Sequence, residues 1–407
     1  MKKNQNTSRR NFLKSSVALP AAVAAIPATA VAAKAKVDRS TPLPMRKLGE
    51  SGPMVTMLNI GGMMSAHNAQ YLDLAWNMGI RYFDTADCYM KGQSERNVGE
   101  WVRKYPERRK DVFIVTKDHP RKNPEQLLTM IDERLENMGI DYVDLFFIHG
   151  MSPKYGEGTD LDSLEWLKSD RLKKVFAQLK ASGKVKYCGF SCHDKLLTEY
   201  LHAAAEGGFT DMIMLKYNPL MQPGDDLDQA IDACHKAGIG LIAMKEMRAY
   251  KKAPRTHPSL EGTGLTTHQT VLQAVWSDKR IASICSAIEN VQQMEENTMA
   301  ARMYNDPISP DARNALTEIA AMTTAPMCPG CSKCNDWAKK TEYAFQDISR
   351  YVNYYEEDGN FEARDYFHGL NAVERNSAGV DLAQISHDCQ FNIDYAEIAR
   401  RAEKYFA

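Results

Sequence analysis

The sequence predicts an α/β fold, a (β/α)8 barrel followed by a mainly helical, cysteine-containing module. Three observations carry this expectation. Eight short runs rich in β-branched and aromatic residues alternate with helical patterns between Met57 and Cys285. The first run is followed only by Gly61-Gly62, whereas a doubly wound nucleotide-binding sheet would carry Gly-x-Gly-x-x-Gly there. The alternation stops near Tyr304, and a strand-poor stretch with clustered cysteines follows.

The totals agree with this partition. A chain of 407 residues holds a barrel of about 250 residues and one further module. At 44% apolar and 25% charged it is ordinary globular material, and a net charge of −1 gives no reason to expect nucleic acid as partner. The charge is uneven. Five of the 51 basic residues and none of the 52 acidic ones fall in residues 1–33, so the remainder carries −6. Nine cysteines, an odd number, argue against a closed disulfide framework.

Residues 1–33 read as an export signal. Ser8-Arg9-Arg10-Asn11-Phe12-Leu13-Lys14 resembles the twin-arginine (Tat) consensus, and the Ala/Val-rich run from Val17 to Ala33 follows it. Ala28-Thr29-Ala30 and Ala30-Val31-Ala32 offer small-x-small cleavage sites. The alternatives are a disordered basic tail or a membrane anchor. The run contains Pro20 and Pro27 and is too short and too weakly apolar for a stable span. The expected location is therefore periplasmic, or otherwise exported, with the Tat machinery as a partner.

The barrel is expected over residues 44–304. Met45–Gly49 with Gly52 and Val55 reads as a hairpin closing its bottom. The expected strands are Met57–Ile60, Arg81–Phe83, Val112–Thr116, Val143–Ile148, Val185–Phe190, Met212–Leu215, Gly240–Ala243 and Ile281–Cys285. Between them, Glu125–Met138, Leu172–Leu179 and Leu227–Ala237 repeat apolar residues at helical spacing. Ser94 stands where it would cap a helix starting at Glu95. Residues 305–407 form the helical tail, ending in an amphipathic helix over Asp394–Phe406.

Four polar residues stand at or just after expected strand ends: Asp84, Tyr89, Lys117 and His149. In a parallel barrel all such ends face one side, where chemistry concentrates. Singly, each has an ordinary explanation: a loop cap, a solvated cation, a structural imidazole. Together, at three successive strands, they form a candidate catalytic set. RKLGESG, FDTADCY, QSERNVG, LENMGIDYVDLFFIH, GKVKYCGFS and MEEN, spread over Met45 to Ala301, resemble the aldo-keto reductase family. That resemblance implies reduction of a small carbonyl, or oxidation of an alcohol, with NAD(P)H. It makes Tyr89 the general acid, Lys117 its electrostatic partner lowering its pKa, Asp84 the anchor of Lys117, and His149 the group orienting the carbonyl.

The resemblance places the nicotinamide site at Ser191, Cys192, Met214, Met244 and Lys245, with Ser286, Ala287, Glu296 and Asn297 on the adenine side. Cys192 and Met214 replace the family's usual Asn and Gln. The loop Cys285–Gln293 has no Lys or Arg to meet a 2′-phosphate, so a preference for NADPH is not expected.

Cys328-Pro329-Gly330-Cys331-Ser332-Lys333-Cys334 is a C-x2-C-x2-C run, the spacing with which three thiolates wrap one face of a cubane cluster. Ala338 stands where a second cluster's ligand would fall, which leaves Cys389 as the downstream thiol. Cys328, Cys331, Cys334 and Cys389 are the expected ligands of one [4Fe–4S] cluster. Zinc held by all four cysteines, or by three of them and His387, is the alternative, and buried or bridged thiols the bland one. Cys88 and Cys192 lie near the active face without an assigned role, and His193 reads equally as mouth-lining or structural. Two functions remain open: an exported reductase, with a redox partner protein feeding its cluster, or an iron–sulfur electron-transfer or binding protein on a barrel that has lost nucleotide turnover.

Overall fold

The computed structural model describes residues 41–62, 68–217, 220, 224–304, 307–329, 334, 337, 340–357 and 359–406. The expected export segment 1–33, Cys331 and Ala338 lie outside the described residues. Two short strands, β1 (Met45–Lys47) and β2 (Met54–Thr56), form an antiparallel hairpin. Eight parallel strands then close a barrel: β3 (Leu58–Gly61), β4 (Tyr82–Asp84), β5 (Phe113–Asp118), β6 (Val143–Ile148), β7 (Val185–Cys192), β8 (Met212–Lys216), β9 (Gly240–Met244) and β10 (Ile281–Ser286). Each neighbours the next in sequence, and β10 returns to pair with β3. All eight match the expected runs, with ends shifted by at most two residues.

The runs are continuous in apolar character because each strand is covered on both sides. On the inside, Tyr82, Phe113, Val115, Leu145, Phe147, Met212, Met214, Ile242 and Met244 fill the lumen. Leu48 and Val55 of the hairpin join that core as its floor. On the outside, helices Gln93–Lys104, Leu127–Met138, Asp170–Ala181, Leu197–Gly207, Asp226–Lys236, Thr267–Trp276 and Val291–Arg302 follow successive strands from β4 onward. Trp101, Trp166 and Trp276 are fully buried in the layer between strands and helices.

The described tail residues form helices and turns without a strand, including Pro310–Met322, Phe345–Glu357, Leu382–Asp388 and Tyr395–Phe406. They build a third core that takes in barrel residues Ala249, Tyr250, Leu260, Val271 and Ala274. Among the described residues no helix is long and apolar enough to cross a membrane.

One local expectation is corrected. The helix after β4 begins at Gln93, with Gly92 at its N-cap in the left-handed region (φ 76°) and no side-chain cap. Ser94 serves tertiary structure instead. Its hydroxyl donates to the Gly62 carbonyl at 3.0 Å and accepts from the Thr85 hydroxyl at 2.7 Å. Gly62 permits this approach, since a Cβ there would lie 2.1 Å from the Asp84 carbonyl oxygen.

Candidate active site on the carboxyl face of the barrel

The four candidate catalytic residues meet at one end of the barrel. Asp84 closes β4, Lys117 lies near the end of β5, and His149 follows β6. Lys117 Nζ donates to Asp84 Oδ2 at 2.6 Å and to the Thr85 carbonyl at 2.8 Å, with both side chains almost wholly enclosed. It also donates to the Tyr89 hydroxyl at 3.3 Å. The Tyr89 ring meets the His149 ring edge-on, centroids 5.4 Å apart.

Tyr89 is held there by an unusual loop. Met90, Lys91 and Gly92 all have positive φ, of 51°, 55° and 76°. Each of the two non-glycine residues costs on the order of 1–2 kcal/mol in this conformation. The surrounding packing sustains that strain directly beside the phenol.

The electrostatics correct one expectation, that Lys117 lowers the Tyr89 pKa. In the structure burial, then the Asp84 carboxylate, push the phenol well above its usual range. The reason is geometric: Lys117 sits closer to Asp84 than to Tyr89, so much of its charge is already answered. Tyr89 therefore stands as a protonated donor. Burial also raises the Asp84 carboxyl, and the charge and hydrogen bond of Lys117 pull it partly back. Burial drives the His149 imidazole down to about 3, against the raising pull of Asp87, so the ring is neutral at pH 7.

Residues that the motif reading did not assign complete this corner. Asp87 and Cys88 precede Tyr89 in the loop after β4, and His119 follows β5. Asp87 Oδ2 lies 3.0 Å from His119 Nδ1 and its Oδ1 lies 3.4 Å from His149 Nδ1. Burial opposes the Asp87 charge, but hydrogen bonds from both histidines outweigh it and hold the carboxyl well below the usual range. The signal was there in FDTADCY and in the His two residues after Lys117. Only the fold reveals that the two loops touch.

The expected cofactor residues divide. Ser191 ends buried on β7, its hydroxyl accepting from the Gly150 N–H at 2.9 Å. Met214 and Met244 face the lumen beneath the mouth. Cys192 turns the other way, into the outer core, with its thiol donating to the Met151 carbonyl at 3.3 Å. Its side chain is not offered to the mouth. Ser286 accepts from Asn297 Nδ2 at 3.1 Å, with exposed Ala287 beside it, so the adenine-side set does come together. Glu296 is paired with Arg255, a cation from the segment between β9 and the helix Thr267–Trp276 that spacing alone did not place there.

The tail walls the mouth above β7 to β9. Lys245, strained at φ 65°, donates from Nζ to the Tyr354 hydroxyl at 3.0 Å. Arg350 hydrogen-bonds His193 and pairs with Asp347 at 2.8 Å. Arg248 Nη1 donates to the Cys328 carbonyl at 3.3 Å, which ties the cysteine segment to the barrel. Burial, then Arg248 and Arg350, hold the Lys245 ammonium well below its usual range. His193 is thus a mouth residue clasped by the tail.

In the tail, Cys328, Cys334 and Cys389 share one core with Tyr395. After burial, these thiols push the Tyr395 hydroxyl well above its ordinary value. Gln346 Nε2 donates to Cys334 Sγ at 3.7 Å, and the Cys328 N–H donates to Ser349 Oγ at 2.7 Å. All eight described cysteines are free of disulfides.

A closed parallel barrel with this buried Lys–Asp pair, a tyrosine and a histidine at its carboxyl mouth defines a barrel oxidoreductase. The profile of the aldo/keto reductase family matches residues 55–252 of this chain. The chain is 24% identical over 296 residues to the uncharacterized oxidoreductase YqkF of Bacillus subtilis, covering 63% of this chain and 90% of that protein. It is 24% identical over 294 residues to L-galactose dehydrogenase of Arabidopsis thaliana, covering 64% and 88%. The fold matches the holo aldo-keto reductase AKR11C1 of Bacillus halodurans at 20% identity, TM-score 0.54, over 68% of this chain and 96% of that one. It also matches the Bombyx mori aldo-keto reductase AKR2E4 in complex with NADP at 16% identity, TM-score 0.54, over 69% and 94%.

Proposed function

We propose that the protein reduces a small carbonyl compound, or oxidises the corresponding alcohol, with a nicotinamide dinucleotide, and that Tyr89 is its acid–base residue. The observation carrying this is the Asp84–Lys117–Tyr89 chain of contacts, at 2.6 and 3.3 Å, opening beside a neutral His149. The dinucleotide, when bound, supplies the hydride. Tyr89 then gives its proton to the carbonyl oxygen as the carbon takes the hydride. Lys117 stabilises the phenolate left behind, and Asp84 holds Lys117 in place. His149 sits where it can orient the oxygen. Ser286, Glu296 and Asn297 would hold the adenine end. Tyr89→Phe tests the assignment: carbonyl reduction should fall at least about 100-fold with the fold intact. Near-normal turnover would refute it. Titration with NADH and NADPH reads the cofactor. With no cation in the Cys285–Gln293 loop and Arg255 already paired, no strong NADPH preference is expected.

We further propose one [4Fe–4S] cluster in the tail. The shared core of Cys328, Cys334 and Cys389, a Gln346 donor on one sulfur and Arg248 beside Cys328 suit an anionic thiolate set, which Cys331 would complete. Anaerobically purified protein should be brown. A colourless zinc-bound sample would give the site to zinc. The twin-arginine motif supports export by the Tat route. Replacing Arg9 and Arg10 together by lysine, followed by cell fractionation, would test it. The second reading, electron transfer without nucleotide turnover, is favoured by one observation: the tail's Tyr354 holds Lys245 at the nicotinamide side of the mouth. Purified protein with a redox-active cluster and no affinity for either nucleotide would establish it.

A further inference from the structure

Asp87, Cys88, His119 and His149 present four donor atoms that all lie within 4.8 Å of one another. The individual gaps are 3.0 Å from His119 Nδ1 to Asp87 Oδ2, 3.4 Å from His149 Nδ1 to Asp87 Oδ1, and 3.7 Å from Cys88 Sγ to His149 Nδ1. The two imidazoles lie 4.5 Å apart between centroids. A tetrahedral ion with N and O ligands at about 2.0–2.1 Å has edges of about 3.3–3.4 Å, and an N–S edge of about 3.6 Å. The N–S gap matches its edge, and the two imidazoles approach different oxygens of Asp87, whose carboxylate turns one oxygen, or presents both, to the ion.

The set has other features of a metal site. Its members come from three loops pinned together at the end of β5, where the Asp87 N–H donates to the Lys117 carbonyl at 3.1 Å. His119 N–H donates to Asp118 Oδ1 at 2.7 Å, and His149 N–H donates to the Asp118 carbonyl at 2.8 Å. One carboxylate and one thiolate balance a divalent charge. Cys88 is exposed, which gives an ion a path in from solvent. Nitrogen, sulfur and a single carboxylate oxygen select a borderline ion of the zinc class over magnesium or calcium.

We propose that Asp87, Cys88, His119 and His149 bind one zinc-class transition-metal ion on the catalytic face of the barrel. The ion has a chemical consequence that rests on the reductase reading above. Without it, the Asp87 carboxylate draws the proton of a neutral His149 to Nδ1, which leaves Nε2 an acceptor. With the ion on Nδ1, the proton sits on Nε2, and His149 becomes a fixed donor. Metal occupancy would then decide whether His149 can donate to a substrate oxygen.

The test uses full-length protein dialysed against a chelator and titrated with Co2+, followed by absorbance and calorimetry. Protein carrying Cys328→Ser and Cys334→Ser, so that the tail thiols cannot hold cobalt, should take up one ion with a thiolate-to-cobalt charge-transfer band. His119→Ala should weaken that uptake at least about 100-fold, and Cys88→Ser should remove the band. No uptake, or a band and affinity that survive Cys88→Ser and His119→Ala, would overturn the proposal. Carbonyl reduction is assayed separately. Failure of reduction with normal Co2+ binding would refute the reductase reading and leave the metal site standing.

Discussion

Asp84→Asn is the sharpest single perturbation of this barrel. Asp84 and Lys117 are 2.6 Å apart, and each side chain is 1% exposed. At an effective dielectric of about 20, unit charges at that distance attract by about 6 kcal/mol. Removing the carboxylate charge leaves a buried ammonium with neutral acceptors alone: the Thr85 carbonyl, the Tyr89 hydroxyl and the new amide oxygen. Loss of one partner from a buried pair typically costs about 3–5 kcal/mol, and that loss is expected here. Urea unfolding followed by tryptophan fluorescence would measure it. The control is Asp84→Asn with Lys117→Met, which removes both charges and should recover most of the loss. A single variant within about 1 kcal/mol of wild type, or a double variant no better than the single, would refute the reasoning.

Three further outcomes are expected. Glu246 is almost fully enclosed, and burial pushes its carboxyl up to about 7, with Arg248 only partly opposing. The folded state thus holds this proton more tightly than the unfolded one, so unfolding free energy should fall by about 3 kcal/mol between about pH 4.5 and about pH 7. Glu246→Gln should remove that slope in pH-dependent urea melts and leave the low-pH stability unchanged. Gly62→Ala would drive a methyl into the Asp84 carbonyl and the Ser94 hydroxyl, with an expected cost of at least about 1–3 kcal/mol by thermal unfolding and a loss of turnover from displaced Asp84. Truncation after residue 304 should not yield a soluble, cooperatively melting barrel, since Tyr250, Leu260 and Val271 would lose the residues that bury them.

The barrel was legible because its strands are buried on both faces, and such strands read as uninterrupted apolar runs. Asp84, Lys117 and His149 were legible because parallel topology sends every strand end to one side. Ser94 misled because its local pattern fits a cap, while Gly62 and Thr85, distant in sequence or across the turn, claim its hydroxyl. The lowered Tyr89 pKa failed because it depends on whether Lys117 lies nearer the phenol or the carboxylate, a matter of tenths of an ångström. Cys192 sits at the expected strand end, but the alternation of side chains along β7 turns it outward. Asp87 and His119 meet across two loops, and Arg248 meets Cys328 across 80 residues. Contacts of that kind leave no periodic trace in a sequence.

The third core has a consequence for how this chain is made. Tyr250 and Val271 belong to the barrel by order, yet their burial is completed by residues as late as Phe406. A ribosome that has finished all eight strands has still not released the segment that seals the seventh βα unit. Until the last helix emerges, that flank is open and adhesive, and a chaperone would find its grip there. A chain built this way reaches its resting state only as a whole. Its history should also show the tail and the β9 loop changing together, because neither can drift without unsealing the other.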